Sequence, residues 1–246
     1  LGSTIVMTLG LFDDLRVLPP HVKFIGQILA ALVLVKADIR LHIVYLPDWA
    51  AIALSVFWIV AVINAINIID VSDGLSTVTS AVAACFLCCV SILNGNFTIA
   101  VLAAALTGSL LGFFPFNRQP ATIYLGDTGS MFIGFLLGAF SLIGKYAPHH
   151  HISLLAPLAI LYVPIFDTGF VMLCRIANRR SPFRGSKDHF AVRLKHRGWP
   201  ARRVAHLALL VGLCTGAAGI SSMFVTQLAA IIIYAVLTIS VIFAIV

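Results

Sequence analysis

The chain has 246 residues, of which 61% are hydrophobic and only 10% charged, with 16 Lys and Arg against nine acidic residues, all of them Asp. Charged residues make up about a quarter of an ordinary soluble domain, and the mean hydropathy here is +1.06. Too few polar groups remain to cover a surface in water, so a soluble globular domain is excluded and an all-α polytopic membrane protein is indicated. The net charge of +7 favours anionic lipid headgroups as partners, and no nucleic-acid motif is present.

Eight apolar stretches approach the length of about 20 helical residues that crosses a bilayer. They occupy residues 22–37, 49–69, 75–93, 97–114, 129–145, 152–175, 204–224 and 226–246, after a shorter stretch at 1–12 that we interpret as the remnant of another span. The gaps are short and rich in turn-forming residues, and residues 38–48 alternate like a small amphipathic hairpin. Residues 1–246 are therefore predicted to form one transmembrane domain of eight to nine helices.

The orientation follows from the basic loop at residues 175–203, which holds ten of the 16 Lys and Arg residues. Such loops stay in the cytoplasm. Counting spans back from this loop places six carboxylates at cytoplasmic helix ends: Asp13, Asp14, Asp70, Asp73, Asp127 and Asp188. Asp167 falls inside a predicted span, where an ionisable group needs a partner or a water-filled cavity.

The first motif, FDDLRVLPPHVK, places the adjacent carboxylates Asp13 and Asp14 at a membrane surface, with Lys23 at the start of the next span. Neighbouring carboxylates repel each other unless a cation or a proton offsets their charge. The pair therefore indicates a metal site or a base with a shifted pKa, and the alternative is a solvated helix end.

The second motif, NAINIIDVSDGLST, spaces Asn64, Asn67, Asp70 and Asp73 three residues apart, which puts them near one face of a helix as it leaves the membrane. Their oxygen atoms suit a hard cation such as Mg²⁺, or the hydrogen-bond donors of a nucleobase or sugar. The alternative is a plain helix C-terminus with Asp turns.

The third motif, GDTGS, holds Asp127 where another span begins. Thr128 and Ser130 are expected to cap that span, which would leave backbone N–H groups at the helix N-terminus free to meet an anion beside a cation on Asp127. An N-capping turn without a ligand explains the segment equally well.

The fourth segment is the basic loop itself, whose Arg and Lys side chains, Arg184 among them, can donate to phosphate. The simple alternative is the positive-inside rule. His189 is the one histidine of the loop with a site role in our interpretation. The consecutive residues His149, His150 and His151 cannot point at one centre, and the five cysteines lie in apolar runs without the spacing of a zinc site.

In order and spacing, these four segments resemble the polyprenyl-phosphate N-acetylhexosamine-1-phosphate transferases of glycosyltransferase family 4, the relatives of the phospho-MurNAc-pentapeptide translocase. The resemblance covers residues 5–200. The family pattern is DD with a following Lys, N-x-x-N with D-G-x-D-G, P-A-x-x-x-x-G-D-x-G-S, and S-P-F with a His cluster.

The resemblance implies transfer of N-acetylhexosamine 1-phosphate from a UDP-sugar to a polyprenyl phosphate such as undecaprenyl phosphate, with release of UMP. It implies Mg²⁺ as cofactor, with Mn²⁺ as an alternative, and an active site on the cytoplasmic face of a bacterial inner membrane. The product would start a cell-envelope glycan such as cell wall polymer or lipopolysaccharide. A homodimer is left open.

Site roles also follow from the resemblance, residue by residue. Asp127 and Asn67 look like the metal ligands, and Asp13 and Asp14 like the catalytic dyad that activates the acceptor phosphate. The substrate-binding residues are expected to be Lys23, Asn64, Asp70, Asp73, Arg184 and His189.

Two departures from the pattern concern its glycine and its histidines. Val71 replaces a Gly that reaches positive φ easily, and only His189 remains of the H-x-H-H cluster, with Ala191 and Val192 in later positions. The spans that precede the DD motif in the family are also expected to be missing. Two alternatives stay open: a transporter that uses intramembrane Asp residues such as Asp167, and a non-catalytic remnant that needs a partner.

Overall fold

The computed structural model describes residues 1–42, 46–146, 151–177, 179 and 188–245, and within them it confirms an all-α fold. No strand occurs in these residues, including the parts of the expected hairpin at 38–42 and 46–48. The helices are α1 Gly2–Leu15, α2 Pro20–Lys36, α3 Asp48–Ile69, α4 Leu75–Leu93, α5 Phe97–Asn117, α6 Gly126–Ile143, α7 Ala156–Ile160, α8 Tyr162–Ala177, α9 Phe190–His196, α10 Ala201–Ser221 and α11 Gln227–Ile245.

The chain is a multi-pass membrane protein, but fewer helices qualify as spans than the sequence predicts. In the described residues five helices are long and apolar enough: α3, α4, α5, α6 and α10. The bent pair of α7 and α8 makes a sixth if it counts as one span. Helices α1 and α2 have only 14 and 17 residues, so the predicted count of eight to nine is not reached.

The expected straight span over 152–175 is broken. A 3-10 turn at His151–Leu155 leads into α7, and the chain then bends by 81° before α8. Pro164 accounts for the position of the break, because its ring would collide with the carbonyl of Ile160 in a continuous helix, and α7 ends at Ile160.

Helix α6 lies at the centre of the packing that positions the site. Helices α1 and α3 both pack against it, and α2 lies against α1 and α3. Gly134 permits the close approach of α6 to α3, since a Cβ there would lie 2.7 Å from the Ile63 Cα atom. This packing brings the end of α1, the start of α2, the end of α3 and the start of α6 to one end of the bundle.

We expect Gly134→Ala to destabilise the protein by about 1–3 kcal/mol, because the added methyl group forces the α3 and α6 backbones apart. Gly108→Ala, in α5, is the matched control, since beyond its own helical turn no atom lies within 4 Å of its Cβ position, and it should be neutral or slightly stabilising. Thermal unfolding in detergent compares the two variants. Equal unfolding temperatures would contradict the close α3–α6 contact.

Candidate active site

Four helix ends meet around the ion pairs of Lys23. This residue lies in the first turn of α2 and forms ion pairs with Asp13, in the last turn of α1, and with Asp127, in the first turn of α6. The distance from Lys23 Nζ to Asp127 Oδ2 is 2.7 Å. Asn67, in the last turn of α3, donates from Nδ2 to Asp127 Oδ1 at 3.0 Å and to Ser130 Oγ at 2.9 Å. Residues far apart in sequence thus share one small volume.

Asp13 is the more buried member of the adjacent acid pair, with 9% of its surface exposed. Its Oδ1 atom accepts a hydrogen bond from the Leu18 backbone N–H at 2.7 Å, while the other oxygen faces Lys23. The carboxylate is therefore fixed from two sides and lies against the cation that also holds Asp127.

Asp14 has a different role from Asp13: it lies in α1 and caps the N-terminus of α6. Its oxygens accept from the backbone N–H groups of Asp127 at 2.8 Å and Thr128 at 3.0 Å, and from the Thr128 hydroxyl at 2.6 Å. Gly126 has φ of +63°, and a Cβ there would lie 2.7 Å from Asp14 Oδ2. Only glycine therefore suits this turn.

This cap corrects our expectation that Thr128 and Ser130 cap the N-terminus of α6 and leave its N–H groups free for an anion. The Ser130 hydroxyl instead donates back to the Gly126 carbonyl at 2.8 Å. The anion at this helix N-terminus is the carboxylate of Asp14, which is favoured there by the helix dipole.

Asp70 and Asp73 follow the end of α3. Asp73 accepts from the Ala121 backbone N–H at 3.2 Å and so ties this turn to the loop before α6. Burial, together with the nearby charges of Asp127 and Asp73, raises the pKa of Asp70 to about 6. The negative charge of Asp127 therefore acts on the carboxyl group of Asp70.

The side-chain amide of Asn64 donates its hydrogen bonds to other residues of the chain. It donates to Gln27 Oε1 at 2.6 Å and to the Val60 carbonyl at 2.8 Å, which joins α3 to the buried Gln27 of α2. Its role in substrate binding stays a prediction.

The predicted residues of the basic loop are placed only in part. Arg184 lies outside the described residues. His189, which precedes α9, is buried, and its Nδ1 atom lies 2.7 Å from Asp167 Oδ2 in α8. The sequence indicated that Asp167 needs a partner but did not identify it, because Asp167 lies in α8, His189 lies just before α9, and no spacing rule connects them.

Comparison with known proteins now adds to this geometry. The family model for glycosyl transferase family 4 matches residues 1–145, more than half of the chain. The chain belongs to glycosyl transferase family 4. The resemblance carried by the DD, N-x-x-N and GDTGS motifs is thereby confirmed.

Individual members of the family give the same result. The chain is 34% identical over 219 residues to the "Probable undecaprenyl-phosphate N-acetylglucosaminyl 1-phosphate transferase" of Bacillus subtilis (strain 168), covering 86% of this chain and 61% of the relative. It is 32% identical over 238 residues to the "Decaprenyl-phosphate N-acetylglucosaminephosphotransferase" of Mycobacterium leprae (strain TN), covering 85% and 60%.

A third relative is the "Phospho-N-acetylmuramoyl-pentapeptide-transferase" of Limosilactobacillus fermentum (strain NBRC 3956 / LMG 18251), 33% identical over 208 residues, with 80% of this chain and 62% of the relative covered. The chain thus spans three fifths of the length of these curated relatives.

The donor atoms at the helix ends of this family 4 chain have the chemistry that Mg²⁺ prefers. Carboxylate and amide oxygens are hard ligands, and protein sites for Mg²⁺ often use one or two carboxylates and leave the other positions to phosphate and water. Among the described residues no group of three or more His, Cys, Asp or Glu side chains could hold a metal by itself. In the structure the Asn67 atom that faces Asp127 is the amide nitrogen Nδ2, so metal ligation by Asp127 and Asn67 stays a prediction.

The charge of the site also bears on which ligands it can bind. We refer to Asp13, Asp14, Asp70, Asp73 and Asp127 as the carboxylate cluster. Together with Lys23 it carries five negative charges against one positive charge when every group is ionised. A phosphate or diphosphate would be repelled from this cluster unless further cations arrived with it.

Asp70→Asn should stabilise the metal-free protein at pH 8 by on the order of 1 kcal/mol. The folded-state pKa of about 6 lies above the ordinary value of 3.8. The wild type therefore loses stability as the pH rises through 6, whereas the variant has no such loss. The variant's advantage should vanish by pH 4.

Thermal unfolding in a chelating buffer measures this difference. Asp48→Asn, whose side chain is 88% exposed, serves as the control and should show no pH-dependent gain. An advantage for Asp70→Asn that is equal at pH 4 and pH 8 would contradict the electrostatic explanation.

Proposed function

We propose that the chain is a polyprenyl-phosphate N-acetylhexosamine-1-phosphate transferase that uses a UDP-sugar and a polyprenyl phosphate such as undecaprenyl phosphate. The observation that carries the proposal is the convergence of Asp13, Lys23, Asn67 and Asp127 on one ion-paired site. Membership of family 4 and the names of the relatives support the same activity. The product would initiate a cell-envelope glycan.

In the proposed reaction a phosphate oxygen of the lipid acceptor attacks the β-phosphorus of the UDP-sugar. A new P–O bond forms, the bond to the bridging oxygen of the diphosphate breaks, and UMP leaves with that oxygen. Two anions must approach each other, so catalysis depends on positioning and on neutralising charge. A site between helix ends at the membrane surface lets the acceptor phosphate meet a water-soluble nucleotide while its tail stays in lipid.

Lys23 is the group of this site that can contact phosphate directly. Its ammonium lies between Asp13 and Asp127. A small movement of this side chain would exchange a carboxylate contact for a contact with a phosphate oxygen. Mg²⁺, or Mn²⁺ in its place, would be held by Asp127 and Asn67 and would neutralise the charge of the diphosphate.

The two acids of the DD motif have separate roles in this proposal. Asp14 accepts three hydrogen bonds from α6, and these interactions favour a role in holding Asp127 in place. Asp13 lies against Lys23 and is the member of the dyad positioned to orient or deprotonate the acceptor phosphate. The resemblance assigned both acids to this chemistry, and the geometry favours Asp13.

We propose further that the site faces the cytoplasm of a bacterial inner membrane, on the same side as the basic loop at residues 175–203.

Helices α1 and α2 are proposed to lie in the bilayer with the longer spans. They expose large apolar side chains that water would not favour, among them Phe12, Leu15, Phe24, Ile25 and Leu29. The eight-span arrangement remains a proposal on this basis.

The transporter alternative gains no support from the geometry. The carboxylate cluster lies at helix ends, and Asp167 is engaged by His189 and the Phe190 backbone. A path for ions would instead place ionisable groups along the middle of the membrane.

The direct test is release of UMP from UDP-N-acetylglucosamine with undecaprenyl phosphate and Mg²⁺, with mass spectrometry of the lipid product. Asp127→Ala should lower turnover by at least ~10²-fold, because it removes a charge that organises both Lys23 and the bound cation. Asp48→Ala, at an exposed position on the other end of α3, should retain normal turnover. Near-normal turnover of Asp127→Ala would refute the assignment.

A further inference from the structure

The buried carboxylate of Asp167 lies in α8, away from the carboxylate cluster, and the proposed reaction does not use it. Only 1% of its surface is exposed, and 4% of that of His189. Asp167 Oδ2 lies 2.7 Å from His189 Nδ1, and Asp167 Oδ1 accepts from the Phe190 backbone N–H at 3.0 Å. One side chain thus holds both the imidazole ring and the first turn of α9.

These contacts determine where the ring carries its proton. The Phe190 N–H donates to one carboxylate oxygen, and an ionised carboxylate is an acceptor at the other oxygen as well. His189 must therefore carry a proton on Nδ1 to donate to Asp167. The Nε2 atom is then the ring nitrogen left for another partner, and no partner for it is found in the described residues.

The packing of α9 connects this pair to the carboxylate cluster. Ala191 and Val204 share one buried apolar cluster with Ile69 and Leu75. Ile69 directly precedes Asp70, and Leu75 follows Asp73 by two residues. The helix that begins after His189 therefore belongs to the same apolar cluster as the two residues that flank the turn with Asp70 and Asp73.

We propose that Asp167 is a positioning residue for the transfer reaction: it fixes the Nδ1–H tautomer and the orientation of His189, so that the unprotonated Nε2 can accept a hydrogen bond from a protonated phosphate oxygen of the substrate. This inference rests on the proposed function, since it assigns His189 to the same reaction. Asp167 touches no substrate, and its effect on turnover passes through His189 alone.

The first experiment measures the tautomer without any substrate. NMR spectra of the full chain labelled with ¹⁵N-histidine separate protonated from unprotonated ring nitrogens, and His189→Gln identifies the signals of His189. We expect Nδ1 to be protonated in the wild type. In Asp167→Asn the side-chain amide would present N–H toward Nδ1, so the proton should move to Nε2. A wild-type ring protonated on Nε2 only, or an unchanged tautomer in Asp167→Asn, would overturn the proposal.

The second experiment uses UMP release as the readout. Asp167→Asn keeps an oxygen that can accept from the Phe190 N–H, so the fold should survive. The kcat should fall at least ~10-fold while KM for UDP-N-acetylglucosamine changes less than ~3-fold, as expected for an interaction needed mainly in the transition state. In a His189→Gln background the same substitution should cost less than ~2-fold more. Independent, additive losses would instead show a structural role.

The two experiments separate the inference from the function on which it rests. If the wild type released no UMP, the transferase assignment would fail, and the NMR result would still decide whether Asp167 fixes the His189 tautomer. If the wild type were active and Asp167→Asn retained full kcat, the positioning role alone would be refuted.

Discussion

The interaction on which this site depends is a single ammonium group shared by two carboxylates of different helices. Lys23 contacts Asp13 and Asp127, which lie 114 positions apart in the chain. Without the cation the two acids would repel each other at the edge of a low-dielectric region, where unpaired charge is expensive. Their pairing therefore fixes the ends of α1, α2 and α6 relative to one another, and Asn67 adds α3 through Asp127.

The backbone supports this arrangement at two glycines. Gly134 allows α6 to approach α3 closely, and Gly126 gives Asp14 access to the first N–H groups of α6. Asp14 therefore stabilises the helix that presents Asp127. The adjacent acids of the DD motif make different contacts: Asp13 pairs with the Lys23 ammonium, and Asp14 accepts from the first N–H groups of α6. Asp167 of α8 likewise contacts the ring of His189 and accepts from the Phe190 N–H at the start of α9.

Much of this site could be predicted from sequence, because helices that alternate direction bring every second helix end to the same side of a membrane. That rule predicted that Asp13 and Asp127 lie on the same side, and the resemblance to family 4 added Asn67 to the same site. The cap that Asp14 places on α6 was missed, since the sequence pattern within GDTGS contains its own capping residues. The bend before α8 was also missed, although Pro164 marks it. The partner of Asp167 could not be predicted from spacing, and five to six helices of the described residues qualify as spans by length and composition, since α1 and α2 have only 14 and 17 residues.

The most direct test of the account is a double-mutant cycle on the free energy of unfolding with Lys23→Gln and Asp127→Asn, measured in chelating buffer. A partly buried ion pair that joins two helix ends should give a coupling energy of about 1 kcal/mol between the two substitutions. The same cycle with Lys23→Gln and Asp48→Asn should give none. A coupling of zero for the first pair would mean that Lys23 does not join α2 to α6, and the convergent site would be contradicted.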